Sequence, residues 1–388
     1  MIFFFVIYLK FIPYSILMKI YDIIVVWWWA AGLFTTIKAK KDLSKLILEK
    51  NKTMWIKVLL SWWERANVSN MDIEPTRDYF WQNRKAMISI YNSFTNWDLM
   101  WWFSDNWINI VEEDRWRLIL ESWDSRELLD VLVRESKKNN TEHLLKAWVL
   151  DIKKDWEIFE ILTEKWTFYS KNVVISSWWR SFMHTWTVWD SYRFLENFGH
   201  EIAWPHRWLS WLVLREDLSE ISWVSSVVDM SITSEGQKKS IYTETWPILF
   251  THFWVSWPII HNAWVAIWEF LNSKKIFSDE QREEFLKENL KMELHFSIDN
   301  STKSMKKFFD LKEDNLEFSF WVLWWRSWKE AKVTWGWIYL DELTNTLESK
   351  KIPWLYVAWE ALDITWKTGW FNLQLAWSSW NVIWKAIY

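Results

Sequence analysis

An apolar run, Asp22-Ile-Ile-Val-Val26, leads into Trp27-Trp28-Trp29-Ala30-Ala31-Gly32, and Glu49 follows 22 positions after Trp27. With glycine at Trp27 and Trp29 this would be the strand, turn and helix of a dinucleotide site with its acidic partner. The first two glycines of such a turn let bare backbone approach a pyrophosphate. The third, Gly32, lets helix and strand pack closely. The helix N-terminus attracts phosphate charge, and a carboxylate at Glu49 accepts hydrogen bonds from an adenosine ribose. A lone glycine pattern says little, but its place after a strand, before a helix and ahead of Glu49 makes it specific.

The chain carries 42 tryptophans and five glycines, and the tryptophans recur where glycine is required. Asp155-Trp156 and Lys165-Trp166 each separate two strand-like runs, the place of a hairpin turn with positive φ. Glycine takes that conformation freely, whereas tryptophan brings the bulkiest side chain to it. A tryptophan-rich sugar- or membrane-binding surface would instead scatter indoles over strand faces and rims. The sequence therefore reads as that of a gene in which UGA means glycine, rendered with UGA as tryptophan. Glycine then returns to roughly 10–12%, suited to a nucleotide-binding α/β protein.

The elements that must position these residues follow from periodicity. A buried strand over 21–26, a helix from about 30 to 41 and a strand over 46–49 form a βαβ unit. Residues 144–177 read as a strand meander, with alternation in Glu157-Ile-Phe-Glu-Ile-Leu-Thr163. Its last strand delivers the chain to Trp178-Trp179, another glycine-demanding pair. Residues 200–330 are less patterned. They suggest an inserted α+β substrate or lid domain with one helix from Ser278 to about Leu294 and another over Ser301–Leu311. From 331 the nucleotide-domain pattern resumes, with a strand over 356–358 and a last helix from about Asn372. The expected architecture is α/β: a Rossmann-type dinucleotide-binding domain built from two discontinuous segments, 18–199 and 331–388, around an insert over 200–330.

Charge and composition exclude several classes. With 46 basic and 50 acidic residues the net charge is −4, which argues against a nucleic-acid-binding surface as the main business. There is no cysteine, hence no disulfide framework, thiolate metal site or cysteine nucleophile. His184, His200, His206 and His261 lack metal-ligand spacing, and no metal is expected. The first seventeen residues, MIFFFVIYLKFIPYSIL, are apolar with a single Lys10. They are marginal for a membrane span and read as a start-codon miscall or disordered extension ahead of Met18. A cytoplasmic protein without a membrane partner is expected.

With glycine restored, the chain resembles the bacterial FAD-binding flavoproteins often described as aminoacetone-oxidase-like or NAD(P)/FAD-dependent oxidoreductases. The resemblance is carried by VVWWWAAG, LLSWWERANVSN (59–70), VVISSWWRSFMHTWTVWDSY (173–192), ILFTHFWVSWP (248–258) and the block from AKVTWGWIYLDEL to FNLQLAWSSW (331–380). It implies that Trp27, Trp28, Trp29, Gly32 and Glu49 stand at the ADP half of FAD. It puts Arg65 and Asn67 in a loop close to the cofactor, and Trp178-Trp179 at the family's glycine pair over the flavin. Glu360 falls in the box that reaches the ribityl chain. Gly369, Trp370, Asn372 and Gln374 match GGYNLQ, whose helix N-terminus would face the flavin pyrimidine. Ala66 and Glu64 depart from the family's cysteine and third glycine, and Phe371 from its tyrosine. Arg180, Phe182 and Met183 stand for its Lys, Tyr and Pro.

The chemistry agrees with the resemblance, since a helix N-terminus at 369–374 would stabilise negative charge near flavin N1. Asn372 also suits a helix N-cap, and Arg65 could hold loop geometry as well as bind an anion. His252 is the best-placed histidine for proton transfer, although a lone histidine also serves as a structural residue. The expected function is hydride transfer between a small organic substrate and flavin N5. Oxidase and NAD(P)H-linked reductase are not separated, though the lack of a second glycine-rich βαβ unit for a nicotinamide nucleotide leans to an oxidase or an outside electron partner. The alternative is a flavin-binding regulatory or structural protein with lapsed substrate chemistry, motivated by Ala66 and Glu64. Nucleic-acid modification fits the wider flavoprotein superfamily but not the acidic balance.

Overall fold

The computed structural model describes residues 19–26, 30–52, 67–80, 84–176, 190–203, 206–208, 210–312, 316–326, 333–336, 338–367 and 369–387. β1 (Ile20–Val26) is buried along its Ile-Ile-Val-Val stretch, as a strand covered on both faces requires. It leads to α1 (Ala30–Lys38), and β2 (Lys45–Leu48) returns parallel to it, with Leu48 opposite Val26. An outlying layer follows: β3 (Asn67–Asn70), α2 (Pro75–Asp78), β4 (Tyr79–Phe80), α3 (Arg84–Ser93) and α4 (Asn96–Asp105). β5 (Ile110–Glu113) and β6 (Arg117–Leu120) pair antiparallel and complete a small sheet with β3. α5 (Ser125–Lys138), capped by the Asp124 carboxylate, then leads to β7 (Thr141–Leu144) beside β2.

The meander β8 (Val149–Asp155), β9 (Ile158–Thr163) and β10 (Thr167–Ile175) rejoins the main sheet, β10 lying parallel to β1. After α6 (Asp190–Asn197) the chain enters a two-stranded ribbon through β11 (His206–Trp208) and then a closed barrel. The barrel contains β12 (Leu212–Leu214), β13 (Ser225–Ser234), β14 (Tyr242–Phe250) and β15 (Trp254–Ser256). Between β15 and its last two strands come α7 (Pro258–Ser273) and α8 (Asp279–Asn289). Then follow β16 (Leu290–Phe296), α9 (Lys303–Phe308) and β17 (Glu317–Trp325). β18 (Val333–Trp335) closes the ribbon against β11, and β19 (Leu355–Val357) joins the main sheet beside β10. β20 (Thr365–Trp366) pairs with β4, and α10 (Gly369–Ala386) packs on α1. The seven-stranded sheet thus runs β7-β2-β1-β10-β9-β8, with β19 also on β10.

This is the mixed α/β architecture with a parallel nucleotide-type sheet that the sequence indicates. The insert combines helices α7, α8 and α9 with a closed six-stranded barrel of order β12-β15-β14-β13-β16-β17, a closure the sequence did not indicate. The helix expected over 278–294 stops at Asn289, because Leu290, Met292, Leu294 and Phe296 alternate inward and form β16 instead. The next helix is shorter than 301–311 and is capped by Thr302. The last helix starts at Gly369, so Asn372 lies inside its first turn and is not its N-cap. Residues 1–17, Trp27–Trp29, Arg65 and Trp178–Trp179 lie outside the described residues.

Many tryptophans sit in the left-handed backbone region that favours glycine. Among the described residues, fourteen that are not glycine have positive φ, and eight of these are tryptophan: 107, 116, 123, 156, 223, 257, 354 and 359. Trp156 turns between β8 and β9 at φ 53° with 92% of its surface exposed. Trp166 does not follow the same rule. Its carbonyl accepts Thr163 N at 2.8 Å, and its φ is not positive.

Candidate functional site

Strand register gathers the site. Val26 of β1 lies between Leu48 of β2 and Ile175 of β10, and Ile175 also faces Val357 of β19. Ser176 N donates to Val26 O at 3.3 Å and Ala358 N to Ile175 O at 3.1 Å. The chain therefore leaves β1, β2, β10 and β19 at one edge, the carboxyl ends where open α/β sheets bind ligands.

Glu49 is the first residue past β2 and is buried. Its backbone is held on both sides, N donating to Leu144 O at 2.9 Å and O accepting from Ala147 N at 2.8 Å. Its Oε1 accepts from Asn51 N at 2.7 Å. A buried carboxylate fixed at the end of the second strand fits the ribose of an adenine dinucleotide. Gly32 is buried in α1, and that helix meets α10 through an edge-to-face contact of Phe34 and Trp377 with centroids 5.3 Å apart.

Glu360 follows β19, and Gly369, Trp370, Asn372 and Gln374 fall in the first two turns of α10. Asn372 Nδ2 donates to Glu360 Oε1 at 2.8 Å, and Trp359 Nε1 donates to Asn372 O and Oδ1. Gln374 is committed inward: its Oε1 accepts from Ser69 Oγ at 2.6 Å and its Nε2 donates to Phe94 O at 2.9 Å. It ties α10 to β3, which Trp377 Nε1 also reaches at Val68 O. Asn67 opens β3, and its buried Oδ1 has no hydrogen-bond partner among the described residues. A buried acceptor without a donor costs on the order of 1–3 kcal/mol, so this oxygen suits a donor from a bound cofactor. His252 sits apart from this group, on the exposed turn between β14 and β15 of the barrel, with Nδ1 3.3 Å from Ser222 Oγ.

The sequence reading missed the residues that set the entry of α10. Asp78 is buried and paired with Arg77 at 2.6 Å and Lys367 at 3.1 Å. Tyr79 OH donates to Phe371 O at 2.7 Å. Burial pushes the Tyr79 phenol well above its ordinary range, which keeps it a donor. The sequence signal was the cap at Glu74 ahead of Pro75, since Lys367 and Phe371 lie 289 and 292 residues from their partners. Among the described residues no three metal-ligating side chains converge, and no helix is long and apolar enough to cross a membrane.

A parallel sheet with its βαβ unit, a buried acid after the second strand and a helix N-terminus at the same edge define a Rossmann-type dinucleotide-binding protein. The family described as the HI0933-like protein Rossmann domain matches residues 21–383, and the chain belongs to it. The ribosomal RNA dihydrouridine synthase of Escherichia coli is 26% identical over 391 residues, covering 93% of this chain and 96% of the relative. The protein of the same name from Haemophilus influenzae is 24% identical over 389 residues, covering 90% and 94%. A mutant of E. coli quinol fumarate reductase shares the fold at a TM-score of 0.51 and 8% identity, over 95% of this chain and 70% of that one.

Proposed function

We propose that the protein binds FAD and is an oxidoreductase acting on the uracil base of ribosomal RNA. The observation that carries the cofactor is the common edge of β1, β2, β10 and β19 with Glu49 buried beside it. The substrate class comes from the two relatives, which match this chain almost end to end. Net charge speaks to affinity for nucleic acid rather than to chemistry, so the value of −4 gives way to this likeness. The chemistry FAD supplies when bound is the hydride of reduced N5, which with one proton saturates uracil C5=C6 and leaves oxidised flavin for NAD(P)H or another donor to re-reduce.

The chain's own residues bind and orient. Glu49 accepts from the ribose hydroxyls, and the positive dipole end at the start of α10 favours negative charge on the flavin pyrimidine. Asn372 holds the Glu360 carboxylate in one orientation. His252, the proton-transfer residue expected from the sequence, sits apart from this edge on the exposed β14–β15 turn, so His252→Asn is expected to leave turnover and flavin content unchanged, and a loss of turnover with flavin retained would restore that role.

We also infer that most tryptophans stand at UGA codons read as glycine, supported by the eight at positive φ. TGG codons at Trp27, Trp29 and Trp257 would overturn this. The activity is tested by expressing the glycine-read chain in E. coli lacking its own ribosomal RNA dihydrouridine synthase. Dihydrouridine should return to the ribosomal RNA, as read by mass spectrometry of its nucleosides. A yellow, FAD-loaded protein that NAD(P)H bleaches without restoring dihydrouridine would keep the oxidoreductase and remove the RNA substrate.

A further inference from the structure

Four indoles fill the space between β11, α7 and the end of β17. Trp208 lies 5.0 Å from Trp264 and 5.9 Å from Trp268, and Trp264 lies 4.3 Å from Trp325. All four are almost wholly buried, and the Trp264 Nε1 has no hydrogen-bond partner among the described residues. Buried indoles ordinarily find an acceptor. Read as glycine, these positions would free the volume of four indole side chains between β11, α7 and the end of β17, enclosed space of the kind ligands occupy.

The wall of that space is cationic. Arg282 of α8 is 2% exposed, and its guanidinium lies 3.4 Å from the centre of the Trp268 ring. Its Nε donates to Ile276 O at 3.1 Å and its Nη2 to Asn272 Oδ1 at 2.9 Å, while Nη1 has no partner among the described residues. Arg207 of β11 lies 5.2 Å from the Trp324 ring and pairs with Asp279 at 3.3 Å. His206 contacts Trp268 at 4.7 Å. Burial and the two guanidiniums pull its pKa down to about 3, so it adds no charge. The partners of Arg282 are thus neutral oxygens, and a buried guanidinium is expensive unless its charge is paired. Trp208 Nε1 donates to Trp366 O at 2.8 Å, three residues before Gly369 opens α10. The space therefore borders the helix end assigned to the flavin pyrimidine.

We propose that this space is the substrate pocket of the glycine-read protein and that Arg282 and Arg207 bind the phosphate of a nucleotide in it. The proposal rests on the UGA reading and on the RNA substrate above. A base that is to be reduced must leave its stack, and a buried phosphate clamp beside the flavin would hold the extruded nucleotide.

The test is calorimetric titration of the glycine-read full chain, with and without FAD, using uridine 5′-monophosphate and uridine. The monophosphate is expected to bind at least tenfold more tightly than uridine and to be displaced by inorganic phosphate. In Arg282→Lys, and separately in Arg207→Gln, that preference should fall at least tenfold with the flavin spectrum unchanged. No monophosphate binding, or equal affinity for the two ligands, overturns the pocket. A chain that prefers the monophosphate but takes up no FAD supports the pocket and overturns only the cofactor reading.

Discussion

Asn372 and Glu360 meet across the edge of the sheet, Asn372 Nδ2 donating to Glu360 Oε1 at 2.8 Å with both residues nearly dry. One belongs to the first turn of α10 and the other to the turn after β19. The bond fixes the start of α10 relative to the strand ends and orients one carboxylate oxygen. It links the two features assigned to the flavin, a helix N-terminus and an acid in the ribityl box.

Asn372→Ala removes one donor from the buried Glu360 carboxylate. The expected cost is about 1–3 kcal/mol of stability, with weaker FAD binding as α10 loses its tether. Denaturant unfolding and fluorescence titration of FAD measure the two effects. Unchanged affinity in a folded variant would remove Glu360 and Asn372 from the cofactor site.

Glu49→Ala is expected to weaken FAD binding by about 1.5–3 kcal/mol, the worth of a charged hydrogen bond. FMN, which lacks the adenosine ribose, should bind wild type and variant alike. A variant that loses both cofactors equally would place Glu49 in the fold rather than at the ribose.

Much of the nucleotide half was legible because its signals are local. The Ile-Ile-Val-Val run, the spacing to Glu49 and the alternation of 157–163 all report on nearest neighbours, and β1, β2, β9 and β10 form there. The barrel was not legible. β12 and β15 are three residues each, too short for a period to show, and β17 reads Phe-Trp-Val-Leu-Trp-Trp with bulk on both faces. Gln374 was singled out by its motif, yet its partners Ser69 and Phe94 come from far along the chain. Arg282 lies on an acidic helix, and the partners that enclose it, Asn272 and Trp268 of α7, belong to another element.

Stability should fall in acid through His143. Burial, then the nearby Lys137 charge, lowers its pKa from 6.5 to about 4. Its Nε2 lies 2.9 Å from Ser136 Oγ, which meets Thr36 Oγ1 between α1 and α5. The unfolded chain binds this proton more readily than the folded one. The contribution is therefore complete above about pH 6.5 and is lost as pH falls from there toward 4. His143→Gln is expected to flatten the stability profile in that window, as read by urea unfolding at pH 7, 5.5 and 4.5.

Two tryptophans should respond to glycine in opposite directions. Trp257 stands ahead of α7 at φ 103° and ψ 165°, a region that is essentially glycine's alone. Such strain costs on the order of 1–3 kcal/mol, so Trp257→Gly in the chain as written is expected to stabilise it by about that amount. Trp102 lies inside α4 with ordinary helical backbone, buried between Phe34 at 5.0 Å and Phe103 at 5.2 Å. Trp102→Gly opens a cavity and is expected to cost about 3–5 kcal/mol. Chemical denaturation of the two variants beside the parent measures both. If Trp257→Gly destabilises as much as Trp102→Gly, the backbone has been built for tryptophan and the glycine reading fails at the position where it is most demanding.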